Sequence, residues 1–415
     1  MNAETQTADT ATPVDQLDLY KLPWNTAEMA ADPYPYIEAA RKKHPWLATT
    51  DEGLVVYGYQ AIRDLMEFDN QDKLRPSFDG IIEILGAKDT PWGRFTSEQM
   101  LALSGPEHKI LRDTFAMKFT PRYANQIRPL MQKIMNMLLD EWLPRGHFDF
   151  AEFISYYPVS VMTSMIGAPL DVIPGLRESL ETLGRAYGLN PGIEPELQKA
   201  ILHMEDFCQK LVAQRRANPK QGGSEDLLDM LIDCSNQGDI PERQLIDLLI
   251  FLFEAGYDTS KNVMTMMIYE MTKRPEIYAK CAEDIEYCRK AVEEFLRYCN
   301  PSHSFRATDT DIVYDGVLIP KDRMVFFALV QAGRDPAVFE NADVFDPERP
   351  NSRHLAFGLG KHMCLGQYIA RAQIQEGLHI LAQRMKDPKV KGNVAYRPYP
   401  GIWGLESLPL EFTPA

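Results

Sequence analysis

Residues 357–366 read Phe-Gly-Leu-Gly-Lys-His-Met-Cys-Leu-Gly, and the fold is read outward from them. Two glycines, Gly358 and Gly360, precede Cys364, Gly366 follows it, and a helical pattern begins at Leu365 and runs to about Met385. A thiolate at a helix start is favoured by the positive end of the helix dipole and by backbone N–H groups that lack intrahelical partners. Glycines let the backbone approach a flat, bulky ligand without interference from Cβ. The arrangement suits a thiolate bonded to a metal lying against the loop. The competing reading is a structural cysteine beside a glycine-rich turn. For Cys208, Cys234, Cys281, Cys288 and Cys299 that plainer reading stands, since none sits at a glycine-rich helix start. Six cysteines without a CxxC pair in 415 residues suggest reduced thiols, not a disulfide framework.

Helical periodicity dominates from Glu107 to about Cys299 and returns after the cysteine loop. Short β-like runs occur at 46–49, 53–57, 312–313, 317–319 and 324–327, so the expected class is mainly α with a minor β sheet. Residues 75–104 mix Pro, Gly and large apolar side chains without a steady period, which reads as a binding loop or lid. Residues 1–16, rich in Thr, Ala and Asp, are expected to be an unstructured tail without signal-peptide character, and 17–415 one domain. The most apolar stretch, Leu245–Phe253, is about half the length of a membrane span and contains Asp247. Against 44 Lys+Arg stand 59 Asp+Glu, a formal charge of −15 that disfavours nucleic acid and anionic membrane as partners. A cytoplasmic monomer is expected.

One long helix is predicted over 241–273. Leu245, Leu248, Leu249, Leu252, Ala255, Gly256 and Thr259 share one of its faces. Ala255 and Gly256 remove bulk just before Asp258 and Thr259, and a helix-interior glycine costs ~1 kcal/mol relative to alanine. Either a close helix crossing or a ligand uses that space. Glu294 and Arg297 form an i,i+3 pair.

The string Phe-x-x-Gly-x-His-x-Cys-x-Gly resembles the haem-binding loop of the cytochrome P450 family. The resemblance extends to Ala-Gly-Tyr-Asp-Thr at 255–259, to Glu294-Phe-Leu-Arg297 and to Asp346-Pro-Glu-Arg349, and so covers nearly the whole chain. It implies a triangular helical haem domain with haem b (iron protoporphyrin IX) and Cys364 as the proximal iron ligand. Phe357, Gly358 and Gly366 would then shape the loop against the haem. Ala255 and Gly256 would make room for dioxygen on the distal side, where Asp258 and Thr259 manage protons, with Ser260 as a second hydroxyl. Glu294, Arg297 and Arg349 would form a buried structural network. The haem propionates need positive donors, and His108, Arg112, Arg306 and His362 stand at matching positions.

The implied activity is insertion of one oxygen atom of O2 into a small apolar substrate. Aromatic and aliphatic walls from Phe78, Ile82, Trp92, Phe95, Leu252, Ile402 and Trp403 suggest an aromatic, phenolic or terpenoid molecule. Electrons would come from a separate iron–sulfur ferredoxin and its NAD(P)H-dependent reductase, docking near Lys361, Lys109 and Arg371. The alternatives are a peroxide-driven peroxygenase and a non-enzymatic haem or ligand sensor.

Overall fold

A computed structural model describes residues 10–220, 222, 225–350 and 353–415. They divide into two units. The first holds the chain up to Gly80 with Glu294–Cys364 and Pro398–Gly401, and the second holds Ile81–Glu293, Leu365–Arg397 and Ile402–Ala415.

The first unit is built on strands β1 (Thr12–Pro13), β2 (Leu47–Thr49), β3 (Leu54–Val56), β4 (Leu74–Arg75), β5 (Ser304–Thr308), β6 (Ile312–Tyr314), β7 (Val317–Ile319) and β8 (Met324–Phe327). A five-stranded sheet runs β2-β3-β8-β5-β4. β3 is parallel to β8 with Leu54 opposite Val325, and β5 is antiparallel to it with Arg306 opposite Val325. Val55, Val56, Phe326 and Phe327 are buried, as β-branched and aromatic side chains on a covered sheet should be. A smaller sheet runs β1-β7-β6. Its first strand corrects the tail expected over 1–16. Thr12 pairs with Val317, and Val14 buries itself against Ile312, Val317 and Trp46. Apolar burial of Val14 and ladder bonds offset the ordering entropy that composition alone suggested would win. Residues 1–9 of that tail lie outside the described residues.

The second unit is mainly helical, with a three-stranded sheet (Met385–Val390, Pro409–Pro414, His147–Asp149) and a two-stranded one (Ala395–Tyr396, Leu405–Ser407). Its main elements are α1 (Pro91–Glu98), α2 (Gly105–Phe115), α3 (Phe150–Ile166), α4 (Ile173–Gly184), α5 (Glu194–Ala217), α6 (Glu242–Thr272) and α7 (Gln367–Arg384). The predicted long helix is α6, one residue shorter at each end. It is apolar nearly all round and buried nearly all round, the pattern of a central helix, with α3, α4 and α5 packed on it. Residues 75–104, expected to be irregular, contain a helix over Asp79–Ile84 and then α1. Thr90 caps α1 by accepting the Gly93 N–H at 3.1 Å, and Pro91 occupies its first turn. Trp92 and Phe95 are buried there, and that apolar anchoring is what orders the segment. Among the described residues no helix is long and apolar enough to cross a membrane.

Candidate functional site

In the first unit the cysteine loop is a tight turn closed by its own backbone hydrogen bonds. Gly358 and Gly360 adopt φ of +66° and +73°, a region that side chains with Cβ avoid. Gly358 N–H donates to Leu355 O at 2.9 Å, Met363 N–H to Gly360 O at 3.0 Å and Cys364 N–H to Phe357 O at 2.9 Å. Lys361 N–H donates to Asn70 Oδ1 at 3.1 Å, which ties the loop to the turn after helix Tyr59–Met66. The result holds Cys364 exposed, whereas the other five cysteines are buried or half-buried. Burial pushes the Cys208 and Cys234 thiols up, and Cys288 is raised by its hydrogen bond with Cys281 and by burial. Those thiols resist ionisation. In the chain, α7 begins three residues after Cys364.

Glu294, Arg297 and Arg349 are brought together. Arg297, fully buried, grips Glu294 through Nε and Nη2 at 2.8 and 2.7 Å. Its remaining N–H groups donate to the carbonyls of Gly333, Ala342 and Val344 at 2.5, 2.8 and 2.9 Å. Arg349 Nε reaches Glu294 Oε1 at 3.3 Å, and the Asp346 N–H donates to the same oxygen at 2.8 Å. A planar fork with five donors suits this carbonyl-rich pocket, where an ammonium would leave acceptors unmet.

The propionate-binding expectations fall in both units. Arg306 on β5 is buried, and its guanidinium already faces Asp69 at 3.3 and 3.4 Å as well as Phe305 O at 2.7 Å. That acidic neighbour, which sequence reading missed, shares the cation with any further anion. His362 is half-buried in the turn Gly360–His362. His108, buried, and Arg112, half-buried, lie one turn apart on α2.

In the second unit, α6 is interrupted in its buried circumference at one place. Ala255 is exposed and Gly256 and Thr259 are half-buried, while Glu254, Tyr257, Asp258 and Ser260 are covered. Thr259 Oγ1 donates to Ala255 O at 3.0 Å, which holds the hydroxyl along the helix. A Cβ on Gly256 would meet the Cε end of the Met162 side chain of α3, so helix packing bears on this half-exposed position beside any ligand. Ser260, the expected second hydroxyl, is buried on another side of the helix.

Asp258 is locked in a buried cluster invisible in the sequence. Arg397 donates through Nη1 to both of its oxygens at 2.7 and 2.8 Å, and Asn262 Nδ2 donates at 3.1 Å. Arg397 Nη2 also binds Glu181 at 2.7 Å, and Glu181 accepts from Lys261 Nζ at 2.7 and 2.6 Å and from the Tyr257 hydroxyl at 2.8 Å. Burial raises the Asp258 carboxyl above its ordinary range, with Arg397 opposing the rise. A Cβ on Gly184 would lie 2.5 Å from Asp258, so the end of α4 closes directly over this carboxylate. Of the expected substrate contacts, Phe78, Ile82, Trp92, Phe95, Leu252 and Trp403 are buried, and Ile402 alone is half-exposed. Phe78 packs edge-on to Phe305 at 5.0 Å.

The family model described as Cytochrome P450 matches residues 188–386. The chain is 30% identical over 384 residues to luteothin monooxygenase of Streptomyces thioluteus, covering 91% of this chain and 92% of that protein. It is 29% identical over 423 residues to cytochrome P450 monooxygenase PikC of Streptomyces venezuelae, covering 98% and 97%. Among solved structures, P450BioI in complex with an acyl carrier protein ligated to hexadec-9Z-enoic acid matches with a TM-score of 0.83 at 27% identity. That match covers 93% of this chain and all of the other.

Haem is a flat apolar ring with a central iron and two carboxylates, and the residues present fit it. Cys364 is an exposed thiol on a loop whose glycines at 358 and 360 carry no Cβ. Ala255 is exposed and Thr259 half-buried within the mostly buried middle of α6. The chain belongs to the cytochrome P450 family, a monooxygenase whose cofactor is haem b.

Proposed function

We propose that Cys364 binds the haem iron and that the enzyme inserts one atom of O2 into a small apolar substrate, the other leaving as water. Thiolate-bound haem supplies activation of O2 and transfer of the oxygen atom. The chain's own residues position and protonate. The exposed thiol of Cys364, held by the Phe357–Cys364 turn, is the single observation that carries the reading. His108, Arg112, Arg306 and His362 would neutralise the propionates, with Arg306 shared between a propionate and Asp69. Thr259 Oγ1, now donating to Ala255 O, is free to turn and donate a hydrogen bond into the open space beside it. Asp258, whose carboxyl burial raises above its ordinary range, would take up and pass on protons, and Arg397 keeps that carboxyl in place. Glu294, Arg297 and Arg349 hold the segment 333–349 rigid.

Electrons would come from a separate ferredoxin and its reductase. The reduced carbon monoxide complex should show the red-shifted Soret band of thiolate ligation, and Cys364→His should abolish it. A band that survives the substitution overturns the assignment. Turnover with NADH and ferredoxin, compared with turnover by added peroxide, separates the monooxygenase from a peroxygenase, for which a proton relay at Asp258 and Thr259 has little use.

A further inference from the structure

The helix α6 carries five carboxylates, and four have cationic partners. Glu242 pairs with Arg216, Asp247 with Arg94, Asp258 with Arg397, and Glu270 with Lys273 and Arg274. Glu254 has none. It is 8% exposed, its Oε2 forms no hydrogen bond, and the groups acting on it are Asp258 and the Tyr187 phenol. Burial, with Asp258 adding to it, pushes its carboxyl up to about 7.

Beside it stands a second unmet group. Gln99, at the C-terminal cap of α1, is 2% exposed, yet neither its Oε1 nor its Nε2 has a hydrogen-bond partner. Its backbone is fully used, donating to Phe95 O and accepting from Ala102 N–H, both at 2.9 Å. Tyr187, in the turn Arg185–Gly188 just beyond α4, lies against both Gln99 and Glu254. Three separate elements thus bring together buried polar groups whose hydrogen-bonding capacity the Tyr187 phenol meets only in part. Buried carboxylates and amides are costly without partners, and natural interiors rarely keep them unless something else completes the set. Glu254 immediately precedes the exposed Ala255, where α6 leaves its packing open.

We propose that Glu254, Gln99 and Tyr187 form a recognition pole for a protonated amine on an otherwise apolar substrate. An unpaired buried carboxylate calls for a cation, and the Gln99 carbonyl oxygen offers a second acceptor for an ammonium N–H. The inference rests on the monooxygenase reading and names its substrate class.

The test uses the haem-loaded enzyme at pH 8, where Glu254 is mostly ionised, and matched probes. One is N,N-dimethyl-4-phenylbutylamine, a tertiary amine that coordinates iron poorly. The second is its carbon isostere, with isopropyl in place of the dimethylammonium group, and the third is 4-phenylbutanol. Dissociation constants are read from the ligand-induced spin-state shift of the Soret band. The amine should bind at least about tenfold more tightly than the isostere, a difference of ~1.4 kcal/mol. Glu254→Gln should bring that ratio close to one, and Gln99→Leu should lower it while leaving the isostere unchanged. No preference in the parent, a preference that survives Glu254→Gln, or an alcohol that binds as tightly as the amine each overturns the proposal. If Glu254→Gln fails to load haem, Gln99→Leu and Tyr187→Phe decide by the same ratio. A normal carbon monoxide band without amine preference refutes this pole alone. Absence of the band in the parent refutes the monooxygenase reading itself.

Discussion

Glu181→Gln tests the buried charge cluster that holds Asp258. Glu181 accepts from Lys261 at 2.7 and 2.6 Å, from Arg397 at 2.7 Å and from Tyr257 at 2.8 Å. Burial alone would raise its carboxyl, but the two cations outweigh it and bring the pKa from 4.5 down to about 2. That difference converts to about 3 kcal/mol of stability. Because the folded pKa is depressed, the contribution is fully present above pH 4.5 and is lost as pH falls towards 2. Glutamine keeps an acceptor but leaves Lys261 and Arg397 short of one negative charge. With an unfolding entropy of ~2.1 cal/mol/K per residue, a chain of 415 residues should lose roughly 3–4 °C in Tm at neutral pH. Thermal unfolding of haem-loaded parent and variant, followed by circular dichroism from pH 7 down to 3, reads this directly. The gap should be widest at pH 7 and narrow steadily below 4.5. Equal Tm at pH 7, or a gap that widens in acid, would refute the electrostatic reading of the cluster.

Thr259→Ala should leave haem loading and ligand binding nearly intact while slowing product formation by up to ~10²-fold and diverting NADH electrons to hydrogen peroxide. Full coupling of NADH to product in that variant would remove Thr259 from the relay. Arg297→Leu strips Glu294 of its buried partner and three carbonyls of their donor. At ~3–5 kcal/mol for a broken buried pair, little haem-loaded protein should accumulate. Arg297→Lys should fare almost as badly, and a parent-like Tm for it would contradict the need for the fork. The three cations expected at a ferredoxin dock are each paired: Lys361 with Asp72 at 2.5 Å, Arg371 with Glu293 at 2.8 Å, and Lys109 with Asp113. Lys361→Glu should therefore change stability by less than ~1 kcal/mol. It should still slow ferredoxin-driven reduction at low salt, with the gap closing as ionic strength rises and dithionite reduction unaffected. Unchanged ferredoxin kinetics at low salt would place the dock elsewhere.

What depends on neighbours in the chain was legible from the amino acids alone. The turn around Cys364 needs positive φ at Gly358 and Gly360, and the hydrogen bonds within it span three to seven residues. The period of 3.6 marked out α6 to within one residue at each end, and it set Glu294 beside Arg297. Pairings between distant segments carried no such signal. Arg397 reaches Asp258 across 139 positions, and Asp69 meets Arg306 across 237. Val14 joins a core whose other members lie more than thirty residues away, which ordered a segment whose composition reads as a tail. Gly256 shows the same limit within one helix. Its spacing allowed a helix crossing or a ligand, and only the folded chain shows Met162 packed against it. A periodic pattern says which face of an element is buried, because the repeat of the backbone determines it. It does not say what that face is buried against. The partner is selected by the free energy of packing whole segments together, and so the charges around Asp258 and the unmet polar groups at Gln99 and Glu254 exist only in the folded chain.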